Sequence, residues 1–309
     1  MEFNHVSVLL QESVDALHIR PDGVYVDATA GGGGHSAAIA SRLTTGRLLA
    51  LDRDPDAIAV LTERFWKNER VTVVRSVFNE IPSVLTAYGI TRVDGILADL
   101  GVSSFQLDTA GRGFSFHQDA PLDMRMSKAG LSAADVVNTY SEKELSDIIF
   151  RYGEEKYARG IAKNIVGARG GKPIETTFEL VEIIKRSMPQ KAMRDSHPAR
   201  KTFQALRIEV NGELSGLPQA LDAMFEALSV GGVLAVISFH SLEDRIVKKK
   251  FADFCLGCTC PPEFPVCVCG KQPRASMPFK FIVPAEEELA QNPRSRSAKL
   301  RAVMKMDNN

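Results

Sequence analysis

The sequence predicts an α/β fold built on a mostly parallel, Rossmann-like sheet, with a helical domain inserted into it. Three observations carry this reading. Up to about residue 100, short apolar runs alternate with helical patterns at close spacing, which implies parallel strands joined by right-handed crossovers. A glycine run separates the first strand from the helix that follows it. The stretch 109–210 shows helical periodicity without a convincing buried strand, and strand signals return only after it.

In order, residues 24–29 (VYVDAT) read as a buried strand that Gly31–Gly34 end, and His35–Leu43 has helical spacing. Arg47–Asp52 (RLLALD) is a second strand, and Pro55 opens a helix to about Trp66, a first-turn position suited to proline. Val71–Ser76 and Gly95–Leu100 are the third and fourth strands. Helices are expected over Glu142–Phe150, Tyr157–Gly167, Thr177–Ser187 and Asn211–Leu228. A strand is expected at Gly231–Phe239, with a closing pair at Phe279–Val283 and Lys299–Lys305. The sheet domain is thus expected at 1–108 and 211–309, and the helical insertion at 109–210.

The 309 residues are 44% hydrophobic and 25% charged, an ordinary globular balance with ample material for a core. Lys plus Arg and Asp plus Glu each number 38, so net charge gives no hint of a polyanionic partner. No segment reaches the ~18 apolar residues of a membrane span. Met1–Gln11 lacks the basic start and apolar run of a signal peptide. A cytoplasmic protein with reduced cysteines is expected.

The central motif is Asp27-Ala-Thr-Ala-Gly31-Gly-Gly-Gly34-His35-Ser36, between strand and helix. Glycines there let the backbone approach a ligand closely. A dinucleotide fingerprint would also begin this way, so an NAD-linked oxidoreductase is one reading. Asp27 argues for another. A carboxylate at the strand end repels a pyrophosphate and suits the ammonium or sulfonium of S-adenosylmethionine. Asp52 ends the next strand, where an acid accepts hydrogen bonds from both ribose hydroxyls of either ligand. Phe78 is a candidate to stack on adenine or a core phenylalanine. Asp99 ends the fourth strand, where an amine-methylating enzyme holds its target. An exocyclic amine is a poor nucleophile that must lose a proton as the new bond forms, so Asp99, a backbone carbonyl or a nearby serine such as Ser103 is the candidate acceptor.

The strings GILADLGVSSFQLD (95–108), RGFSF (112–116) and PLDMRM (121–126) closely resemble the bacterial small-subunit ribosomal RNA cytosine-N4 methyltransferases, the RsmH or MraW family. HVSVLLQE (5–12), HPARKTFQALRIEVNGEL (197–214), SFHSLEDRIVK (238–248) and NPRSRSAKLR (292–301) extend the resemblance over nearly the whole chain. It implies a class I S-adenosylmethionine methyltransferase fold with a helical insertion. It also implies N4-methylation of a cytidine in the decoding region of 16S rRNA, in the small ribosomal subunit, with neither DNA nor membrane as partner. By the same resemblance, cofactor contacts fall on Gly33, Gly34, His35, Asp52, Phe78, Asp99 and Gln106. The Leu-Gly-Val after Asp99 departs from the Pro-Pro-aromatic corner of DNA amino-methyltransferases, which leaves the proton acceptor open.

Two runs are candidate RNA-facing stretches. Lys185–Arg207 holds seven Lys or Arg and one acid, Asp195, and 289–305 holds five Lys or Arg and no acid. Phosphate contacts supply most nonspecific nucleic-acid affinity, and Lys201, Arg207, Arg294 and Arg296 are the candidates there. Arg125 and His240 are candidates near the target base, His240 also as a catalytic residue beside Asp99 and Ser103, with Phe114, Phe116 and Phe239 to stack on that base or to fill the core. A non-enzymatic RNA-binding protein is the third reading, which the intact cofactor set argues against.

All five cysteines lie within 255–269. Cys258, Cys260, Cys267 and Cys269 match the four ligands of a structural Zn2+, although C-x-C is a poorer spacing than C-x2-C. Pro261, Pro262 and Pro265 stiffen the segment. The alternative is a set of reduced thiols in an extended loop.

Overall fold

The computed structural model describes residues 7–194, 197–261 and 264–307. Asp195 and Pro262 of the runs above lie outside them. The chain divides into two compact units, one from residues up to Gly101 together with Gly216 onward, the other Val102–Ser215.

In chain order the first unit begins with α1 (Leu10–Ala16), β1 (Val24–Asp27), α2 (Gly34–Ser41), β2 (Arg47–Asp52), α3 (Pro55–Phe65), β3 (Val71–Arg75), α4 (Ile81–Ala87) and β4 (Val93–Asp99). The second unit carries α5 (Ser104–Asp108), α6 (Ala133–Thr139), α7 (Glu142–Gly153), α8 (Ala158–Arg169), α9 (Thr177–Arg186) and α10 (Arg200–Asn211). The first unit then resumes with α11 (Leu217–Ala227), β5 (Leu228–Ser238), α12 (Ser241–Cys255), β6 (Ala275–Ser276), α13 (Glu286–Gln291) and β7 (Lys299–Lys305).

The seven strands form one sheet in the order β3-β2-β1-β4-β5-β7-β6. The first five are parallel, and β7 runs antiparallel between β5 and β6. This is the class I methyltransferase arrangement that the resemblance implies. Side chains alternate across the sheet, so its two faces bury different neighbours. Val26, Leu51, Ile96, Leu234 and Val236 pack on α4, α11 and α12. Tyr25, Leu48, Leu97, Ala235 and Ile237 pack on α1 and α2. Burial on both faces explains why the parallel strands read as continuous apolar runs.

The helical unit has a core of its own, including Val136, Leu145, Ile149, Ile161, Leu180, Ile184, Phe203 and Leu206. Its helices start where side chains satisfy orphan amides. Capping boxes join Ser132 to Asp135, Ser141 to Glu144 and Thr176 to Glu179. The unit extends past 109–210 at both ends. Val102 and Leu107 pack on its core, and Arg207 forks onto Glu213 at 2.8 and 2.7 Å.

Two sequence expectations fail. The helix expected over Asn211–Leu228 starts only at Leu217, because Gly212 (φ +61°) ends the preceding helix α10. The sequence showed α10 only as a basic run. Phe279–Val283 forms no strand and touches β7 through one bridge, Ile282–Leu300. The sixth strand is instead the dipeptide Ala275–Ser276, and Phe281 turns its ring toward the Arg301 guanidinium, 5.4 Å away.

Candidate active site

Asp27, Asp52 and Asp99 end β1, β2 and β4 on one edge of the sheet, and the turn from β5 into α12 joins them there. Ligands of open α/β sheets bind beyond the carboxyl ends of the strands. The loop from β1 to α2 turns through Gly31 (φ +50°) and Gly33 (φ +80°). A Cβ at Gly33 would also meet Leu61 Cδ2 at 2.9 Å, and one at Gly34 would collide with the Ser7 hydroxyl.

Two acids brace this loop. Asp52 Oδ2 accepts from the Gly31 amide at 2.8 Å, and its Oδ1 accepts from the Asp54 amide at 2.8 Å. Burial pushes its pKa up to about 6 in spite of those bonds. Asp27 is 1% exposed and accepts from the Ser36 hydroxyl at 2.6 Å and the Thr29 amide at 3.3 Å. Burial raises it too, to about 6. Asp27 therefore anchors the loop from beneath rather than facing a ligand, which corrects the role read for it in the sequence.

Asp99 ends β4 on the same edge of the sheet. Its backbone amide donates to the Thr29 hydroxyl at 2.6 Å, which ties the end of β4 to the glycine loop. Its Oδ1 is buried without a hydrogen-bond partner, and its Oδ2 lies 3.8 Å from His35 Nδ1. His35 is buried, with Nε2 3.0 Å from the Val8 carbonyl oxygen. Burial, then the charges of Asp27 and Glu243, hold the Asp99 carboxyl well above the usual carboxylate range.

Glu243 escaped the sequence reading. It is 1% exposed, and its Oε2 accepts from the amides of Phe239 and His240 at 2.9 and 3.3 Å. His240 caps α12, with its Nε2 3.2 Å from Glu243 Oε1, so both side chains shape the β5–α12 turn. Gly101 (φ +98°) turns the chain beside Phe239 and Glu243. The signal available in the sequence was the capping-box spacing of His240 and Glu243. Two buried carboxylates, Asp27 and Glu243, beside the part-buried Asp99 make a site suited to a cation, because a positive ligand relieves their mutual repulsion.

Phe78 follows β3 in a single 3-10 turn, half-buried against the sheet core. Ser103 and Gln106 belong to the helical unit. They cap α5 reciprocally, the Gln106 amide donating to Ser103 Oγ at 3.3 Å and the Ser103 amide to Gln106 Oε1 at 3.1 Å.

Most cations singled out in the sequence are held by the protein itself. The Arg125 guanidinium grips Asp123 at 2.7 and 2.9 Å and the Gly130 carbonyl at 3.1 Å. Lys201 Nζ donates to the Glu154 carbonyl at 2.9 Å. Arg207 is tied to Glu213 as described. In the second run, Arg301 pairs with Asp244 at 2.7 Å, Lys299 reaches the same acid at 3.3 Å, and Lys305 donates to three carbonyls, closest to Leu228 at 2.9 Å. Arg294 and Arg296 stand exposed on the turn Pro293–Ser297. Phe114 is buried in the helical core, and Phe116 stacks on His197 at 4.4 Å.

The sequence pattern of the MraW methylase family matches residues 2–306. A ribosomal RNA small subunit methyltransferase H from Lachnospira eligens is 56% identical over 306 residues, 97% of each chain. Its namesake from Clostridium botulinum strain Kyoto is 53% identical over 309 residues, 99% of this chain and 100% of that one. A ribosomal RNA small subunit methyltransferase H 2 from Agathobacter rectalis is 53% identical over 313 residues, again 99% and 100%. A match that runs almost from end to end, over a sheet whose strand ends present the expected acids, places this chain in the MraW methylase family.

Proposed function

We propose that the protein methylates N4 of a cytidine in the decoding region of 16S ribosomal RNA, within the small ribosomal subunit in the cytoplasm, using S-adenosylmethionine. The observation that carries this reading is Asp99. It is a carboxylate whose Oδ1 is buried and unpartnered, beside two further buried acids, at the strand end where the ligand of such a sheet lies. A sulfonium donor supplies both the electrophilic methyl group and the positive charge this site lacks.

The chain's own residues then divide the work. The turn at Gly33 and Gly34 admits the donor's backbone-like end, with His35 packed beneath it. Asp52 keeps acceptor capacity for ribose hydroxyls, since a carboxylate offers about four lone-pair positions and two amides occupy only part of them. Phe78 lies at the end of β3, where an adenine ring would rest. Asp99 accepts the proton that N4 loses as its bond to the methyl carbon forms and the carbon–sulfur bond breaks. A raised pKa makes it the stronger base for that step. The helical unit serves the RNA, and Arg294 and Arg296 of the sheet unit are phosphate contacts.

The test is methyl transfer from labelled S-adenosylmethionine to small subunits from a strain lacking this enzyme, with the product nucleoside identified by mass spectrometry. N4-methylated cytidine supports the reading, and label in any other nucleoside overturns it.

A further inference from the structure

Between Cys255, the last residue of α12, and Ala275 in β6, residues 256–274 form no helix or strand among those described. Structureless loops longer than about 12–15 residues are uncommon and need a reason to exist. Apart from Arg274 at its end, whose guanidinium lies over the Phe225 and Phe254 rings, this one does not bury its side chains. None of its described residues is buried, and Phe264, Val266 and Val268 are 51%, 70% and 73% exposed. Yet its backbone is folded back on itself so that four thiols meet. The sulfurs of Cys258, Cys260, Cys267 and Cys269 all lie within 4.8 Å of one another.

The distances identify what such a cluster suits. Cys258 Sγ lies 3.3 Å from Cys267 Sγ and 3.7 Å from Cys269 Sγ, and Cys267 Sγ is 3.6 Å from Cys269 Sγ. A disulfide needs about 2.05 Å. Four sulfurs placed tetrahedrally at about 2.3 Å from a zinc ion are about 3.8 Å apart. The backbone completes the arrangement. The amides of Cys260, Thr259 and Val268 point at the sulfurs of Cys258, Cys269 and Cys260, at 3.4, 3.5 and 3.4 Å. Amides aimed at sulfur are the outer-shell donors that stabilise thiolate ligands. The fifth thiol, Cys255, stays apart, half-buried against the sheet core.

We infer that Cys258, Cys260, Cys267 and Cys269 bind one Zn2+ that takes the place of a hydrophobic core for the loop 256–274. Four thiolates leave no open coordination position, so the ion is structural and takes no part in methyl transfer. Binding releases the thiol protons to solvent and involves no redox step.

The test uses the full-length protein, purified under reducing conditions without chelator, supplied with equimolar Zn2+ and desalted. Elemental analysis should find one zinc per chain. A mercurial thiol reagent should release it as the four cluster thiols react, with Cys255 counted apart. Cys267→Ser should weaken zinc binding by more than the about 10–100-fold that loss of an outer-shell partner costs, whereas Cys255→Ser should retain the metal. Because an altered loop can fail to fold, the wild-type protein supplies a second measurement: chelation should speed protease cleavage within 256–274 and leave cofactor affinity unchanged. The inference is overturned if the wild-type protein retains no zinc, if iron rather than zinc is bound, if Cys258 and Cys267 are found as a disulfide, or if Cys255→Ser loses the metal as Cys267→Ser does.

Discussion

Two loops of the sheet unit solve the same problem in opposite ways. The glycine loop after β1 is short and buried at its base, and its shape comes from the protein's own hydrogen bonds. Asp27 and Asp52 accept from Ser36, Thr29, Gly31 and Asp54. The cysteine loop after α12 is long and exposed, and its converging groups are thiols rather than acceptors already satisfied by amides. Both loops gather groups that can ionise. Beside the first, one oxygen of Asp99, Oδ1, is buried without a hydrogen-bond partner. The second brings together four soft donors that suit a metal. A polypeptide can thus hold a loop from beneath with buried acids, or from within with an ion.

The sharpest way to break this comparison is Asp99→Asn. It should lower the rate of methyl transfer by about 10²–10⁴-fold, the usual worth of a positioned acid or base, while RNA affinity and zinc content stay as in the wild type. An unchanged rate would remove Asp99 from the proton transfer. Next comes Asp52→Ala, which should weaken cofactor affinity about 10–150-fold by calorimetry, the equivalent of a charge-assisted hydrogen bond of about 1.5–3 kcal/mol. Gly33→Ala should cost about 1–3 kcal/mol in a denaturation experiment, since it places a Cβ at φ +80° against Leu61. Equal stability would mean that the turn relaxes freely.

The smallest effect carries a sign. The Asp27 carboxyl is raised by burial to about 6. Its folded form therefore holds a proton more tightly than its unfolded form, so the stability it lends is full below the ordinary carboxylate range and is lost as pH rises through about 6. Asp27→Asn cannot lose that proton. The melting temperature of the variant minus that of the wild type should climb between about pH 4 and pH 7 and then level. A flat difference would mean that the Asp27 carboxyl is not raised.

Much of this was legible in the sequence. The first five strands were visible because burial on both faces leaves uninterrupted apolar runs such as RLLALD, and Asp27, Asp52 and Asp99 were visible at the ends of such runs. Which acid faces inward was not. Asp27 and Asp99 look alike until Ser36, one helical turn into α2, is seen to donate to the first. Charge runs concealed their internal partners for a related reason. The partner of Arg301 is Asp244, 57 residues away, and that of Lys201 is a backbone carbonyl. β6 escaped because two residues show no periodicity, and Glu243 because its burial depends on the turn it caps.

The connectivity of the sheet has a consequence for how the chain folds. β4 and β5 are neighbours in the sheet, yet the whole helical unit lies between them in sequence. Loop-closure entropy grows only logarithmically, at about 0.6 kcal/mol for each doubling of length, so the insertion raises the cost of pairing these strands modestly. The inserted helices include sequential pairs, α7 with α8 and α8 with α9, which form quickly, and α10 returns from farther along the chain onto α7. Once they have condensed, the segment between β4 and β5 behaves as a shorter tether, and the order of events that closes the sheet most rapidly is the one in which its longest excursion is completed first.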